Sequence, residues 1–432
     1  MTALKPDVLN GQRLAPPAQA DAPAPGETEP AGTVTGRRIL YVTHRFPYPP
    51  NDGARVRAFH AIAHLARANA VTVVAPVRSA AEAEQVQALA ALGVEVRTLR
   101  LGRAAALART MASASLGLSA SRGYFDSPAL RAELRALCAA RPFDLAIVHC
   151  SAVAHYAADL PIPVKVLDFV DMDSRKWLDY RRFAGPARRA VYAWEGWCLG
   201  RLERRMAARF DLCLTTTAHE DATLKEIAGP VVSAVVRNGV DLERFHPTDG
   251  GYDANRICFL GRMDYFPNEQ AMVGFCRDVL PRLRVQRPGL RLSIVGADPG
   301  PRVRALAELE HVEVTGRVPD VRPYVQQAAL TVAPLLIARG TQNKILESLA
   351  MGVPVVASGL ACRGVDAELG RDLLRADGPE ETAREVLRLL DHPPTRARLA
   401  AAGRRLVERR YSWAATMADL DTRLAAALAN AP

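Results

Sequence analysis

From Arg37 to about residue 236, short apolar runs of four to seven residues alternate with longer stretches in which apolar positions recur every three or four residues. The short runs, at residues 39–43, 71–75, 94–99, 145–149, 164–170 and 212–216, read as buried strands. The longer stretches, such as 55–67, 81–92 and 127–140, read as helices. Alternation of this kind is a series of βαβ units, which assembles into a parallel sheet covered by helices. The series then begins again, with strands expected at 257–260, 290–295, 312–315, 330–333 and 353–357. The fold class is therefore α/β, with two doubly wound, Rossmann-like domains. Turn-forming residues at Arg237-Asn238-Gly239-Val240-Asp241, leading towards Pro247, place the junction there. The expected domains are 37–236 and 237–412, and a last helix within 413–432 is free to pack back on the first domain.

The pattern fails in residues 1–36, which are dominated by Ala, Pro, Gly and polar side chains with no apolar period, so they read as a disordered leader. The remaining length exceeds one ordinary core, in keeping with two domains. Nowhere do eighteen uncharged apolar residues run together, which argues against a membrane span. Seven cysteines without a CxxC pair fit reduced thiols and a cytoplasmic protein better than a disulfide frame or a zinc site. The formal charge of +10 favours anionic partners. With no zinc-finger spacing, RNA-binding signature or aromatic-basic repeat, nucleic acid is not expected among them.

In an open parallel sheet, ligands bind at the carboxyl ends of strands. The richest loop there is Arg339-Gly340-Thr341-Gln342-Asn343-Lys344-Ile345-Leu346-Glu347, between an apolar run and a helix. Gly340 allows close backbone approach, and Thr341, Gln342 and Asn343 present amides at a helix N-terminus, a ready seat for phosphate oxygens. Lys344 adds charge. One turn on, Glu347 can accept two hydrogen bonds from a ribose diol, or form an ordinary surface pair with Lys344.

These residues, with others, resemble a known family. Asn238-Gly239-Val240-Asp241 with Phe245, Phe259-Leu260-Gly261-Arg262, Thr315-Gly316-Arg317-Val318-Pro319-Asp320, Lys344-Ile345-Leu346-Glu347 through Val355, and Tyr411-Ser412-Trp413 match, in order, the retaining glycosyltransferases of family 4. That resemblance implies the GT-B fold of two facing Rossmann-like domains. Gly261 to Asn268 and Ala338 to Lys344 look like the branch tied to bacterial exopolysaccharide and PEP-CTERM-associated loci. The resemblance further implies that Gly261 and Arg262, with Arg317, meet the donor diphosphate, and that Glu347 meets the donor ribose. Physically, a fixed guanidinium favours the charge that accumulates on a departing diphosphate. The sequence departs from the family where many members carry a Glu, here Arg339, and where many carry a Lys, here Pro267.

In the first half, Asn51-Asp52-Gly53 follows the first strand and is expected in the cleft, Gly53 above all, unless it is a plain turn. His149 ends a strand pointing the same way and is a candidate for catalysis or a structural histidine, while the family's usual sugar-contacting His aligns with Ser151. Asp171-Met172-Asp173 imitates a metal-binding DxD. In a GT-B setting Arg and helix amides already neutralise the diphosphate, so no metal or other cofactor is expected, and Asp171 and Asp173 are assigned to the acceptor side or to a helix cap. Basic and aromatic residues interleave from Trp177 to Arg209, either as a solvated helix or as a surface for anionic lipid. The expectation is a retaining hexosyl transfer from a UDP- or GDP-sugar to a saccharide or polyprenyl-linked acceptor in exopolysaccharide synthesis, with peripheral inner-membrane contact. A nucleotide-sugar epimerase of the same fold and a non-catalytic nucleotide-sugar binding module stand as alternatives.

Overall fold

The computed structural model describes residues 32–50 and 53–430. Among the described residues, thirteen strands fall into two sheets. The first contains β1 (Arg38–Thr43), β2 (Ala70–Val77), β3 (Glu95–Arg100), β4 (Leu145–His149), β5 (Val164–Val170), β6 (Leu212–Thr215) and β7 (Ser233–Val235). Its order is β3-β2-β1-β4-β5-β6-β7, with every pairing parallel. The second contains β8 (Asp253–Leu260), β9 (Arg291–Val295), β10 (Val312–Gly316), β11 (Ala328–Ala333), β12 (Val355–Ala357) and β13 (Leu374–Arg375), ordered β10-β9-β8-β11-β12-β13, again all parallel. This is the α/β GT-B architecture.

Both faces of the sheets are covered at their centres, so β1, β4 and β11 are buried along nearly their whole length, whereas the edge strand β3 is only partly buried. Along β1 the side chains alternate between two cores: Ile39 and Tyr41 join one, Leu40 and Val42 the other. In each sheet the order reverses once, between β1 and β4 in the first and between β8 and β11 in the second. Loops diverge at such points and leave a crevice. The two crevices face each other, which brings the loops after β1, β4 and β5 opposite those after β8, β9 and β11.

Some elements differ from the sequence pattern. The edge strands β7 and β13 are too short to show a period. Residues 81–92 form two short helices, Ala80–Glu84 and Val86–Ala90, that meet at Gln85. The Ala- and Ser-rich stretch that holds no clear pattern forms the helix Arg103–Ser115. Order also begins before Arg37: Val34 is buried in the first core, and its carbonyl accepts from Asn69 Nδ2 at 2.8 Å. The leader boundary at residue 36 is thus too late, and the rest of that segment lies outside the described residues.

The chain crosses between domains at two adjacent places. The amide of Val240 donates to the Tyr411 carbonyl at 2.7 Å, so outgoing and returning segments lie side by side. After the return, the helix Trp413–Ala429 buries Met417, Leu420 and Leu424 in the first domain's core.

Candidate active site

A cleft of about 1860 Å³ separates the domains and is lined from both sides. On the second domain, β8 ends in Gly261, whose φ of 153° suits glycine. A Cβ there would press on Asn268 and Lys344, and one on Gly296 would overlap the Gly261 carbonyl. Backbone packing this tight sets the position of Arg262. Its guanidinium is half exposed, held by Asp264 at 2.7 Å and Asp298 at 3.3 Å. Arg317, at the end of β10, shares Asp298 at 3.4 Å, so two cations converge on one carboxylate at the cleft wall.

Across the floor, the helix Asn343–Ala350 begins directly after the β11 loop. Its first amides have no carbonyl partner within the helix, as at any helix start. Lys344 Nζ donates to Asn268 Oδ1 at 2.8 Å and lies 5.3 Å from the Phe259 ring centre. Burial pulls its pKa down to about 8. Burial also pushes the Glu347 carboxyl up to about 7, against the pull of Arg244 and Lys344. Arg262, Arg317, Lys344, Glu347, Gly261, Thr341, Gln342 and Asn343 all line this cleft.

Two members of the same loop do something else. Arg339 reaches across to the first domain, to Asp179 at 2.8 Å and Glu220 at 3.5 Å. Gly340, with φ of 57°, lies against Asp171: a Cβ would overlap that carboxylate. The close approach expected of Gly340 is therefore to the opposite domain.

In the first domain, Gly53 opens the helix Gly53–Leu65, with Asn343 Nδ2 3.5 Å from where its Cβ would stand. Asn51 and Asp52 lie outside the described residues. His149 is buried at the end of β4, its Nδ1 3.4 Å from Asp168, while Nε2 has no partner among the described residues. The His44 ring stacks on it at 5.8 Å, and burial holds His44 well below the usual imidazole range. Ser151 is buried two residues on, outside the cleft lining. Asp171 and Asp173 both line the cleft but have different partners. Asp171 accepts from Thr216 at 3.1 Å, and Asp173 pairs with Lys176. Burial, then Glu220 and Asp173, push the Asp171 carboxyl up to about 7. Among the described residues, no group of three or more His, Cys, Asp or Glu is disposed to hold a metal ion.

Sequence reasoning missed the junction beneath His149. Arg57 is buried and grips Asp168 at 2.7 and 3.1 Å. Its remaining donors meet the carbonyls of Val236 and Arg237, at 2.8 and 3.1 Å, and Asn238 Oδ1 at 3.2 Å. One guanidinium thus ties β5 to the interdomain linker. A charged residue inside the apolar run 164–170 was the available signal, since a buried charge requires a partner.

Two facing doubly wound domains, with cations and a helix start gathered at one switch point, define a GT-B enzyme. Residues 254–392, which include Arg262, Arg317, Lys344 and Glu347, match the family model described as Glycosyl transferases group 1. The protein is a glycosyltransferase. No curated protein matches the sequence. Among solved structures, Anabaena Alr3699/HepE in complex with UDP superposes with a TM-score of 0.65 at 13% identity, over 90% of this chain and 100% of that one. Sucrose-phosphate synthase from Thermosynechococcus elongatus does so at 0.66 and 15%, over 91% and 100%. A glycosyltransferase from Rickettsia africae gives 0.62 and 10%, over 92% and 100%.

Proposed function

We propose that the enzyme transfers a hexose, with retention, from a UDP- or GDP-sugar to a saccharide or polyprenyl-linked saccharide in exopolysaccharide synthesis at the inner face of the cytoplasmic membrane. The observation that carries the donor assignment is the convergence of Arg262, Arg317, Lys344 and the Asn343–Ala350 helix start on one side of the cleft, with Glu347 one turn further on. The diphosphate lies against these donors, and the ribose diol donates to Glu347. The structural neighbour from Anabaena was crystallised with UDP and with UDP-glucose, which supports a uridine donor. Retention and the exopolysaccharide setting rest on the motif resemblance.

As the glycosidic bond breaks, negative charge grows on the diphosphate. Arg262 and Lys344 are already in place and need not reorganise, so they favour the transition state over the ground state. The departing phosphate takes the acceptor's proton on the same face, while His149 and Gly53 close the sugar off from water. The charge on the leaving group is met by side chains and amides, so turnover is expected to survive chelator.

Calorimetry with UDP and GDP, on wild type and on Arg262→Ala and Glu347→Ala, tests the donor site. Loss of one fixed donor to the developing charge is expected to lower kcat/KM by about 10²–10³. Labelled nucleotide sugars then separate the activities. Acceptor-dependent nucleotide release supports transfer, an altered sugar without release means epimerisation, and binding alone means a module. Failure of both nucleotides to bind the second domain refutes the reading.

A further inference from the structure

The helix Pro186–Ala207 presents one solvent-facing stripe, Arg188, Val191, Trp194, Trp197, Arg201 and Arg205, spaced three or four residues apart. Trp194 is 45% and Trp197 53% exposed, their rings 5.6 Å apart, and Arg201 lies 4.7 Å from the Trp197 ring. Two large aromatic side chains left in water on one helix face are unusual for a surface with no partner.

The patch continues onto a second element. The turn Leu116-Gly117-Leu118 follows the helix Arg103–Ser115 and is docked on the stripe. Cys198 Sγ donates to the Gly117 carbonyl at 3.5 Å, and Glu195 accepts from Ser119 Oγ at 2.7 Å and from the amides of Ala120 and Ser121. Leu116 is 74% exposed, and Leu107 and Met111, one turn apart on the same helix, are also exposed. The apolar surface therefore runs from one helix to the other.

Its charge has one sign. Residues 181–209 contain eight arginines and two acids, Glu195 and Glu203, both buried and both committed to backbone or Ser donors. Residues 101–125 contain Arg103, Arg109 and Arg122 and no acid. Arg188, Arg189 and Arg205 are exposed with no acidic partner among the described residues. A surface for another protein would be expected to mix charges around an apolar centre. Arginines around exposed Trp, Leu and Met, with no exposed acid on the patch, instead fit phosphate headgroups above an acyl boundary. Among the described residues no helix is long and apolar enough to cross a membrane, so the contact is with a surface.

We infer that this face, built from Trp194, Trp197, Leu116 and Met111 and ringed by arginines, docks the enzyme on an anionic lipid bilayer. It also connects to the cleft. On the flank of the same helix, Tyr192 meets Trp177 at 5.3 Å and Tyr180 at 6.3 Å, and Tyr180 meets Phe266 of the second domain at 5.4 Å. An acceptor held by a lipid chain at the patch would enter beside this aromatic seam. The seating names specific residues for the membrane contact in the proposed function, yet docking itself does not depend on which sugar or nucleotide is used.

Flotation of the full chain tests it, with vesicles of equal parts phosphatidylglycerol and phosphatidylcholine set against phosphatidylcholine alone. Wild type should float with the anionic vesicles only, and less so at high salt. Trp194→Ser/Trp197→Ser and Arg188→Glu/Arg189→Glu/Arg205→Glu should each weaken binding by about tenfold or more, with melting temperature and UDP affinity unchanged. Wild type that stays with the soluble fraction, or variants that float as wild type does, overturns the inference. Self-association in sedimentation that Trp194→Ser/Trp197→Ser abolishes gives the face to a second copy and overturns it too. Because UDP affinity is measured separately, loss of lipid docking leaves the donor assignment standing.

Discussion

Replacing Arg57 with Met retains much of the side chain's volume and removes its charge and all five hydrogen bonds. The carboxylate of Asp168, 4% exposed, then keeps only the amide of Val170 at 3.2 Å and His149 at 3.4 Å. Breaking a buried ion pair from one side costs about 3–5 kcal/mol, because the remaining charge stays out of water. The carbonyls of Val236 and Arg237 lose a donor as well, at roughly 1 kcal/mol each. We therefore expect Arg57→Met to destabilise the first domain by about 5–7 kcal/mol in urea titration, a large part of the stability of an ordinary domain. Asp168→Leu alone should cost a similar amount, but Arg57→Met/Asp168→Leu far less than the sum, since both buried charges are gone. The pH dependence follows from the depressed Asp168 carboxyl, held down by Arg57 and His149 against burial. Its contribution is fully present above the ordinary carboxylate value of about 3.9 and is lost as pH falls below that towards the folded value. Additive single costs, or an Arg57→Met cost under about 1 kcal/mol, would refute the reasoning.

Four further outcomes follow from the site. Donor affinity should be bell-shaped in pH, falling below about 7 as Glu347 takes a proton and above about 8 as Lys344 loses one; calorimetry should find the acid limb flattened in Glu347→Gln and the alkaline limb moved up in Lys344→Arg. Glu347 works against stability over the same range: its raised carboxyl favours the fold below about 4.3, and that advantage disappears as pH rises through about 7, so Glu347→Gln should melt higher at neutral pH. Gly340→Ala forces both a strained φ and an overlap with Asp171, and small-angle scattering should show the domains held further apart, with kcat reduced more than UDP affinity. Arg339→Ala leaves Glu220 without its charged partner, and the same scattering measurement should show opening that Asp179→Asn alone does not produce.

The two sheets were legible because buried strands in a parallel sheet are apolar runs separated by amphipathic helices, and that pattern survives from Ile39 to Ala357. The loop from Arg339 to Glu347 was equally plain as chemistry, since its residue types and spacing suit a phosphate and a diol. Its partners were not. Asp171 lies under Gly340, and Asp179 and Glu220 under Arg339, because the domains close on each other, and no local period encodes that contact. Arg57 was hidden for a related reason: on a helix its neighbours in sequence are Ala and Val, and only the fold brings Asp168 and the linker carbonyls to it. The helix Arg103–Ser115 was missed because Ala and Ser carry too little contrast in hydropathy to show a face.

The distribution of contacts between the domains bears on how the enzyme opens. On the linker side they are fixed and largely apolar. Trp413 stacks on His60 at 4.0 Å and covers Gly239, and the helix behind it is part of the first core. On the cleft side they are the ion pairs of Arg339 with Asp179 and Glu220, Gly340 over Asp171, and the edge-on rings of Tyr180 and Phe266. Water can replace ion pairs at little net cost, whereas exposing Met417, Leu420 and Leu424 would cost about 1.5–3 kcal/mol each. Opening is therefore expected to proceed by rotation about the strip where Val240 meets Tyr411, with the cleft side parting and the Trp413–Ala429 helix staying seated. That rotation hydrates Asp171 and Glu220 while leaving Arg57 on Asp168, Val236 and Asn238. On this reasoning the Arg57 junction is expected to be the fixed end of the hinge, and the Arg339 contacts the end that parts as donor enters and product leaves.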